Sequence, residues 1–215
     1  MTFKDKKYLL IEKAISRELA DFIYAYFRLK RDVARTLFDK KCISPYEEIH
    51  GYWNDQQTPD TFSIYGDVAM ETLLLKLWPL MEKEIGFKLV PTYAYARLYK
   101  KGDELKRHKD RTSCEISTTL NLGGDAWSIY LEPDATKGIK TGNKYIPSDS
   151  PGIKIDLEPG DMLVYSGCIF EHWREKFTGE NCGQVFLHYN NVATQGDQNK
   201  FDERPHLGLP KDIKK

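Results

Sequence analysis

The period of the apolar residues changes near residue 88, and no other feature constrains the fold as much. Before that point the spacing is helical. From Ser16 onward Leu19, Phe22, Ile23, Tyr26, Phe27, Val33, Leu37 and Phe38 fall mostly three, four or seven apart. They predict one stripe on a helix of about six turns, with Ser16 as its N-cap. A second run, Asp67 to Gly86, places Val68, Leu73, Leu74, Leu77, Trp78, Met81 and Ile85 on a similar stripe, with Asp67 as start cap and Gly86 as end cap. Pro79 lies inside this run and predicts a kink or break near Leu75 to Pro79. Both stripes are read as faces turned to the core.

After residue 88 the period is two. Tyr93, Tyr95, Arg97 and Tyr99 alternate with Ala94, Ala96 and Leu98, and Ile116, Thr118 and Leu120 alternate with Glu115, Ser117 and Thr119. Further strands are predicted at 127–131, 153–157, 162–165, 169–172 and 184–190, separated by turn sequences such as Gly123-Gly124-Asp125 and Glu158-Pro159-Gly160-Asp161. The class is α+β: a mainly β chain with N-terminal helices, its strands forming an antiparallel sandwich or jelly roll. Residues 132–152 are polar and long for a hairpin, and read as an insertion or mobile lid. The tail from Thr194 has few apolar residues and is expected to wrap the surface or fray.

At 215 residues the chain is expected to be one domain over 1–215, divided into helical support and an aromatic loop (1–87), a β core (88–192) and a C-terminal tail (193–215). Its 32 basic and 32 acidic residues cancel, which removes any global attraction to nucleic acid or to anionic membranes. The start MTFKDKKYLL is too polar for a signal peptide and no apolar run approaches bilayer length, so a soluble, cytoplasmic protein is expected. Cys42, Cys114, Cys168 and Cys182 form no CxxC pair and give no disulfide framework.

The chemistry centres on His108-Lys109-Asp110. On an extended chain residues two apart share a face, so one imidazole and one carboxylate can reach the same ion. His172, after a Glu-Pro-Gly-Asp turn and a predicted strand, would complete a two-histidine, one-carboxylate triad of the kind that suits ferrous iron. Both histidines must be neutral to bind, so metal affinity is expected to weaken below about pH 6. His50 and His206 are read as solvated, and His188 as facing the barrel interior or the core. The loop from Ile43 to Phe62 carries Tyr52 and Trp53 and reads either as a substrate-contacting lid or as a packed connection. Lys100, Lys101, Lys106, Arg107, Lys109 and Arg111 cluster around the triplet, as a solvated face or as a guide for an anionic substrate.

The segments YKKGDELKRHKD (from Tyr99), RTSCEISTTLNL, LEPGDMLVYSG and HWRE (from His172) resemble the iron(II)/2-oxoglutarate-dependent dioxygenases, most closely the prolyl 4-hydroxylase-like branch. The resemblance covers roughly Tyr93 to Asn190. It implies a double-stranded β-helix, cupin-like and supported by two or more helices, with His108, Asp110 and His172 as iron ligands and no catalytic side chain beyond them. It implies Fe(II), 2-oxoglutarate and dioxygen as the reacting partners, with ascorbate as an optional reductant. Tyr99, nine positions before the first histidine, matches a tyrosine that helps hold 2-oxoglutarate.

One departure stands out. The family usually carries Lys or Arg about ten residues after the distal histidine to pair with the far carboxylate of 2-oxoglutarate; here that residue is Cys182. Arg174, Arg97, Arg111 and a protonated His188 are the substitute cations, with Gln184 as a neutral donor. Tyr52, Trp53 and Arg111 are the substrate-contacting candidates. The implied reaction is hydroxylation of a C–H bond, first of a prolyl residue in a peptide or protein, with succinate and carbon dioxide as co-products. A free amino acid or other small molecule is the next choice. A nucleobase oxygenase is disfavoured by the zero net charge and the lack of that branch's arginine pairs, and a non-catalytic cupin-like binding module by the intact triad. No nucleic-acid or membrane partner is expected, and monomer and homodimer stay open.

Overall fold

The computed structural model describes residues 2–44, 46–141 and 144–214. A short turn of helix, α1 (Phe3–Lys6), leads into β1 (Tyr8–Ile11) and then α2 (Arg17–Asp39). Next come β2 (Phe62–Tyr65), α3 (Val68–Ile85), β3 (Leu89–Lys100) and β4 (Leu105–His108). The remaining strands are β5 (Ile116–Gly124), β6 (Ile129–Glu132), β7 (Ile139–Thr141), β8 (Lys144–Ile146), β9 (Ile153–Ile155), β10 (Met162–Ser166), β11 (Glu171–Arg174) and β12 (Asn181–Asn191). A last short helix, α4 (Val192–Gln195), precedes the tail.

Two antiparallel sheets face each other. The larger has the order β1-β10-β5-β12-β3-β2 and the smaller β4-β11-β6-β9, while β7 and β8 pair separately. The larger sheet takes both edge strands from before residue 88, neither of which the alternation pattern disclosed. Tyr8–Ile11 is an unbroken apolar run with no period, and Phe62–Tyr65 is buried on both faces.

The strand alternation decides what each face does. Ala94, Ala96 and Leu98 of β3, with Ile116, Leu120 and Leu122 of β5, pack outward against α2 and α3 in one buried cluster. Burying each large apolar side chain stabilises the fold by about 1.5–3 kcal/mol. The opposite faces of the same strands, carrying Tyr93, Arg97, Ser117 and Thr119, turn toward the smaller sheet. A second apolar cluster with Ile129, Leu131, Leu163, Tyr165 and Phe170 fills the space between the sheets.

Both long helices begin where their caps predict. Ser16 Oγ accepts from Leu19 N at 3.2 Å, and Asp67 Oδ1 accepts from Ala69 N and Met70 N at 3.0 and 3.2 Å. Gly86 ends α3 in the left-handed region at φ 72°, a conformation that costs a side chain little only when there is none. Pro79 does not break the helix, which runs on from Val68 to Ile85. It lies on an exposed position where the lost hydrogen bond faces water. The stripe on α2 is narrower than the spacing suggests. Ala20, Ile23, Phe27 and Ala34 form its buried line, while Phe22 and Val33 are 70% and 48% exposed.

Two segments differ from their sequence reading. The described residues of 132–152, which leave out 142 and 143, are not a loose lid. Tyr145 Oη and Ser148 N both donate to the buried Glu171 carboxylate at 2.9 Å, and Arg107 donates to Ser150 O at 2.8 Å. The tail carries Arg204, fully buried, whose Nη2 lies 2.6 Å from Glu71 Oε1 of α3. A buried ion pair ties it down, with Leu207 packed against the core beside it, so hydrophobicity gave little sign of it. No helix of the described residues is long and apolar enough to cross a membrane.

Candidate metal centre

His108 ends β4 and His172 sits in β11, and the two are direct cross-strand partners. Their ring centroids are 4.2 Å apart. Each Nδ1 lies against a backbone carbonyl two residues earlier: Lys106 O at 2.8 Å for His108 and Phe170 O at 3.0 Å for His172. A carbonyl only accepts, so each Nδ1 carries the proton and each Nε2 keeps its lone pair. Asp110 follows on the loop after β4, its N–H bonded to Gly167 O at 2.9 Å. Its Oδ1 is 3.6 Å from His108 Nε2 and 3.5 Å from His172 Nε2.

Three acceptor atoms thus converge with no proton among them, which is unfavourable unless a cation lies between. The donor set of these three residues lies within 4.8 Å of one another. Two neutral imidazoles and one carboxylate suit a divalent first-row metal, and they leave open positions for further ligands. The residues present fit the ion.

Surrounding groups tune the triad. Burial alone would raise the Asp110 pKa, but His172, His108 and His188 outweigh it and hold the carboxyl well below the usual carboxylate range. Burial, with His172 beside it, lowers the His108 pKa to about 4. The ring therefore stays neutral well below the pH 6 at which a free histidine would begin to charge. Ser117 Oγ donates to Asp110 Oδ2 at 2.6 Å and lies 3.1 Å from His188 Nδ1. Ser117 pairs with His188 across β5 and β12, and His188 with Tyr93 across β12 and β3.

Gly167 shows how tight this corner is. A Cβ there would stand 2.3 Å from Asp110 Oδ2 and 2.4 Å from Ser117 Oγ. Only glycine leaves the carboxylate where it is.

The triad opens into a cavity of about 390 Å³. Tyr52, Arg97, Arg111 and His188 line it, with Tyr93, Tyr95, Tyr165, Phe186, Asp55, Gln57, Cys114 and Lys211, which the sequence reading did not single out as site residues. Tyr165 and Ser117 lie on alternating strands, but nothing in their spacing from the triplet marks them. Trp53 does not reach this cavity. It packs on Phe62 at 5.0 Å under the Arg35 guanidinium and lines a separate outer depression that shares Tyr52 and Asp55 with the metal cavity.

The proposed co-substrate residues Arg97, Arg111 and Gln184 have side-chain partners already, and Arg174 stands apart. Arg97 is already engaged, donating to Asp55 Oδ2 at 2.6 Å and Gln57 Oε1 at 2.7 Å. Arg111 donates to Asp202 Oδ2 at 2.8 Å. Gln184 is held by Thr119 and Asn121 at 3.0 and 3.1 Å. Arg174 is different. It is fully buried, two residues beyond His172 on the same face of β11, and reaches across to Thr119 Oγ1 at 3.2 Å and to the Trp127 carbonyl. It has no carboxylate partner among the described residues, and its Nε has no acceptor. Burial lowers its pKa, with the hydroxyls of Tyr99 and Tyr165 and the Cys182 thiol as its ionisable neighbours. A buried guanidinium without a counter-ion is costly to keep.

No protein-family model matches the chain, and no curated protein matches it in sequence. Solved structures do match in shape. A Pseudomonas putida prolyl-4-hydroxylase superposes with a TM-score of 0.56 at 15% identity, covering 88% of this chain and 95% of that one. The fold is that of the 2-oxoglutarate/iron(II) oxygenases. The epimerase SnoN, in complex with Fe3+, alpha-ketoglutarate and nogalamycin RO, matches with a TM-score of 0.61 at 12% identity over 88% of this chain and 81% of that one. EctD from S. alaskensis with bound Fe matches with 0.59 at 13% over 99% and 82%. The double-stranded β-helix read from the sequence is therefore the architecture adopted.

Proposed function

We propose that this chain is an Fe(II)- and 2-oxoglutarate-dependent oxygenase that hydroxylates a C–H bond. The convergence of two Nδ1-protonated imidazoles and the Asp110 carboxylate at one end of a cavity carries the reading. Structures of the same fold that hold iron, one with alpha-ketoglutarate, support it.

In this reading His108, Asp110 and His172 hold the iron, which when bound supplies the activation of dioxygen and of the 2-oxoacid. The chain's own part is to bind and orient. The Lys106 and Phe170 carbonyls fix the tautomers of the two rings. Ser117 occupies Asp110 Oδ2 and leaves Oδ1 for the metal. Arg174, with Thr119 and Tyr99 beside it, takes the far carboxylate of 2-oxoglutarate, the role that Cys182 cannot fill. His188, bonded to Ser117, lines the cavity, and Gln184, bonded to its strand neighbours, does not reach it, so neither serves as anchor. The segment from Tyr52 to Gln57 closes one side of the mouth through the Asp55–Arg97 pair and excludes water there.

For the substrate, the prolyl 4-hydroxylase-like resemblance favours a prolyl residue in a peptide or protein. The alternative, a free small molecule, is favoured by the cavity itself, whose mouth is flanked by the 52–57 segment and by Lys211 of the tail. We adopt the small molecule.

The test is anaerobic addition of Fe(II) and 2-oxoglutarate to apoprotein, watching for the weak visible metal-to-ligand charge-transfer band. The band is expected, and is expected to vanish in Asp110→Ala with the circular dichroism spectrum unchanged. Iron binding without a band would refute the 2-oxoglutarate assignment, and absence of iron binding would leave a non-catalytic module.

A further inference from the structure

Among the described residues, four cations line the metal cavity: Arg97, Lys109, Arg111 and Lys211. Arg97 is neutralised by Asp55 at 2.6 Å and Arg111 by Asp202 at 2.8 Å. The other two make no ion pair among the described residues. Lys109 Nζ donates only to the uncharged Ala135 carbonyl at 3.1 Å, and Lys211 has no ion pair or hydrogen bond among the described residues. Asp110, the remaining anion of the wall, faces the two metal histidines. The cavity wall therefore keeps two ammonium groups that make no ion pair among the described residues, Lys109 with the Glu171 and Asp134 carboxylates further off, and a guanidinium, Arg111, whose side chain is 47% exposed.

Lys211 is not there by accident of a loose end. Upstream of it, Arg204 is fully buried against Glu71, and Gly208 N donates to the same carboxylate. Asp202 accepts from Tyr65 Oη at 2.7 Å as well as from Arg111, which ties the tail to the residue directly after the metal-binding triplet. The wall that carries these cations and the triad also carries the aromatic side chains of Tyr93, Tyr95 and Phe186.

We propose that the C-terminal segment is part of the substrate site, with Lys211, Arg111 and Lys109 receiving an anionic group, a carboxylate or phosphate, of a small substrate whose apolar body lies on Tyr93, Tyr95 and Phe186. The inference rests on the oxygenase reading and names the substrate class of that same cavity. An unpaired ammonium beside a half-buried guanidinium gains a charge-assisted hydrogen bond from such a group. A neutral isostere forgoes that charge-assisted bond, at about tenfold in affinity.

The test uses protein loaded with Zn(II) and saturated with 2-oxoglutarate, so that the co-substrate position is filled and no turnover occurs. Saturation-transfer NMR then compares 3-phenylpropionate, 3-phenylpropanamide and 3-phenylpropylamine, which differ in charge but little in shape. The carboxylate is expected to bind at least tenfold more tightly than the amide and the amine not at all, with Lys211→Glu erasing or inverting that order. Equal binding of carboxylate and amide, an order untouched by Lys211→Glu, or no binding of any probe would overturn the proposal. The affinity of the Fe(II) protein for 2-oxoglutarate, read from the charge-transfer band, is measured in the same variant. A loss there with the probe order unchanged would assign the cations to guiding the co-substrate and would also overturn it. If the wild type forms no band at all, the oxygenase reading fails, while the probe order still reports on Lys211.

Discussion

Ser117 Oγ lies 2.6 Å from Asp110 Oδ2 and donates its proton there, which leaves Oδ1 as the oxygen turned toward both histidines. The hydroxyl is fully buried, so the carboxylate has no water to replace it. Groups that orient a metal ligand in this way are typically worth roughly 10- to 100-fold in metal affinity. Ser117→Ala is expected to weaken Zn(II) or anaerobic Fe(II) binding by about that factor, measured by titration calorimetry, with the circular dichroism spectrum intact. An unchanged affinity would show that Gly167 and the backbone alone hold Asp110 in place.

Arg174 separates function from stability. Its guanidinium is fully buried, lacks an acidic partner among the described residues and leaves Nε without an acceptor. Arg174→Met removes that unpaired charge and keeps much of the volume. The variant is expected to unfold at the same or a higher temperature than the wild type, yet to lose the 2-oxoglutarate charge-transfer band. A marked fall in melting temperature would mean that the bonds to Thr119 and to the Trp127 carbonyl are structural.

The tail offers the opposite case. Arg204 Nη2 and Glu71 Oε1 are 2.6 Å apart, and both side chains are buried. Arg204→Met leaves a carboxylate stranded in the core and is expected to destabilise the protein by about 3–5 kcal/mol in urea denaturation. Adding Glu71→Gln should recover a substantial part, since the penalty lies in the unpaired charge. If the double variant is as unstable as the single one, lost packing of the tail is the larger effect.

Acid should unfold the apoprotein earlier than its carboxylates alone would dictate. Burial lowers the His188 pKa from 6.5 to about 4, so the unfolded chain takes up a proton at a pH where the folded one does not. The neutral ring's contribution is fully present above the unfolded value and is lost as pH falls from 6.5 to about 4. The loss is on the order of 3 kcal/mol for a shift of this size. Chemical denaturation of apoprotein across that window should show stability declining with falling pH, with a shallower slope in His188→Gln. Equal slopes would show that His188 is not the group responsible.

Much of the site was legible because strand alternation and ligand spacing are local properties. An extended backbone turns residues two apart to one side, which is why His108 and Asp110 could be paired and why Tyr93, Tyr95, Arg97 and Tyr99 were assigned one face. Helix caps at Ser16 and Asp67 are equally local, each a side chain bonding an N–H within three residues. Nothing local could show that Pro79 would be tolerated, because that depends on its lying on the exposed side of α3.

The sequence by itself thus determined the helix-then-strand order, an antiparallel sandwich or jelly roll, which the family resemblance narrowed to a double-stranded β-helix, and the three residues proposed to hold a metal. Only the tertiary structure decided which cations were free. Arg97, Arg111 and Arg174 look alike in the chain. Asp55 lies 42 residues from the first and Asp202 lies 91 from the second, and no acidic residue among those described pairs with the third. Charge compensation acts through space at a few ångströms, while a sequence records only separation along the chain. The role of the tail was hidden for the same reason: its anchors are polar contacts over long separations, Arg204 with Glu71 133 residues away and Asp202 with Arg111 91 away, which leave no periodic trace.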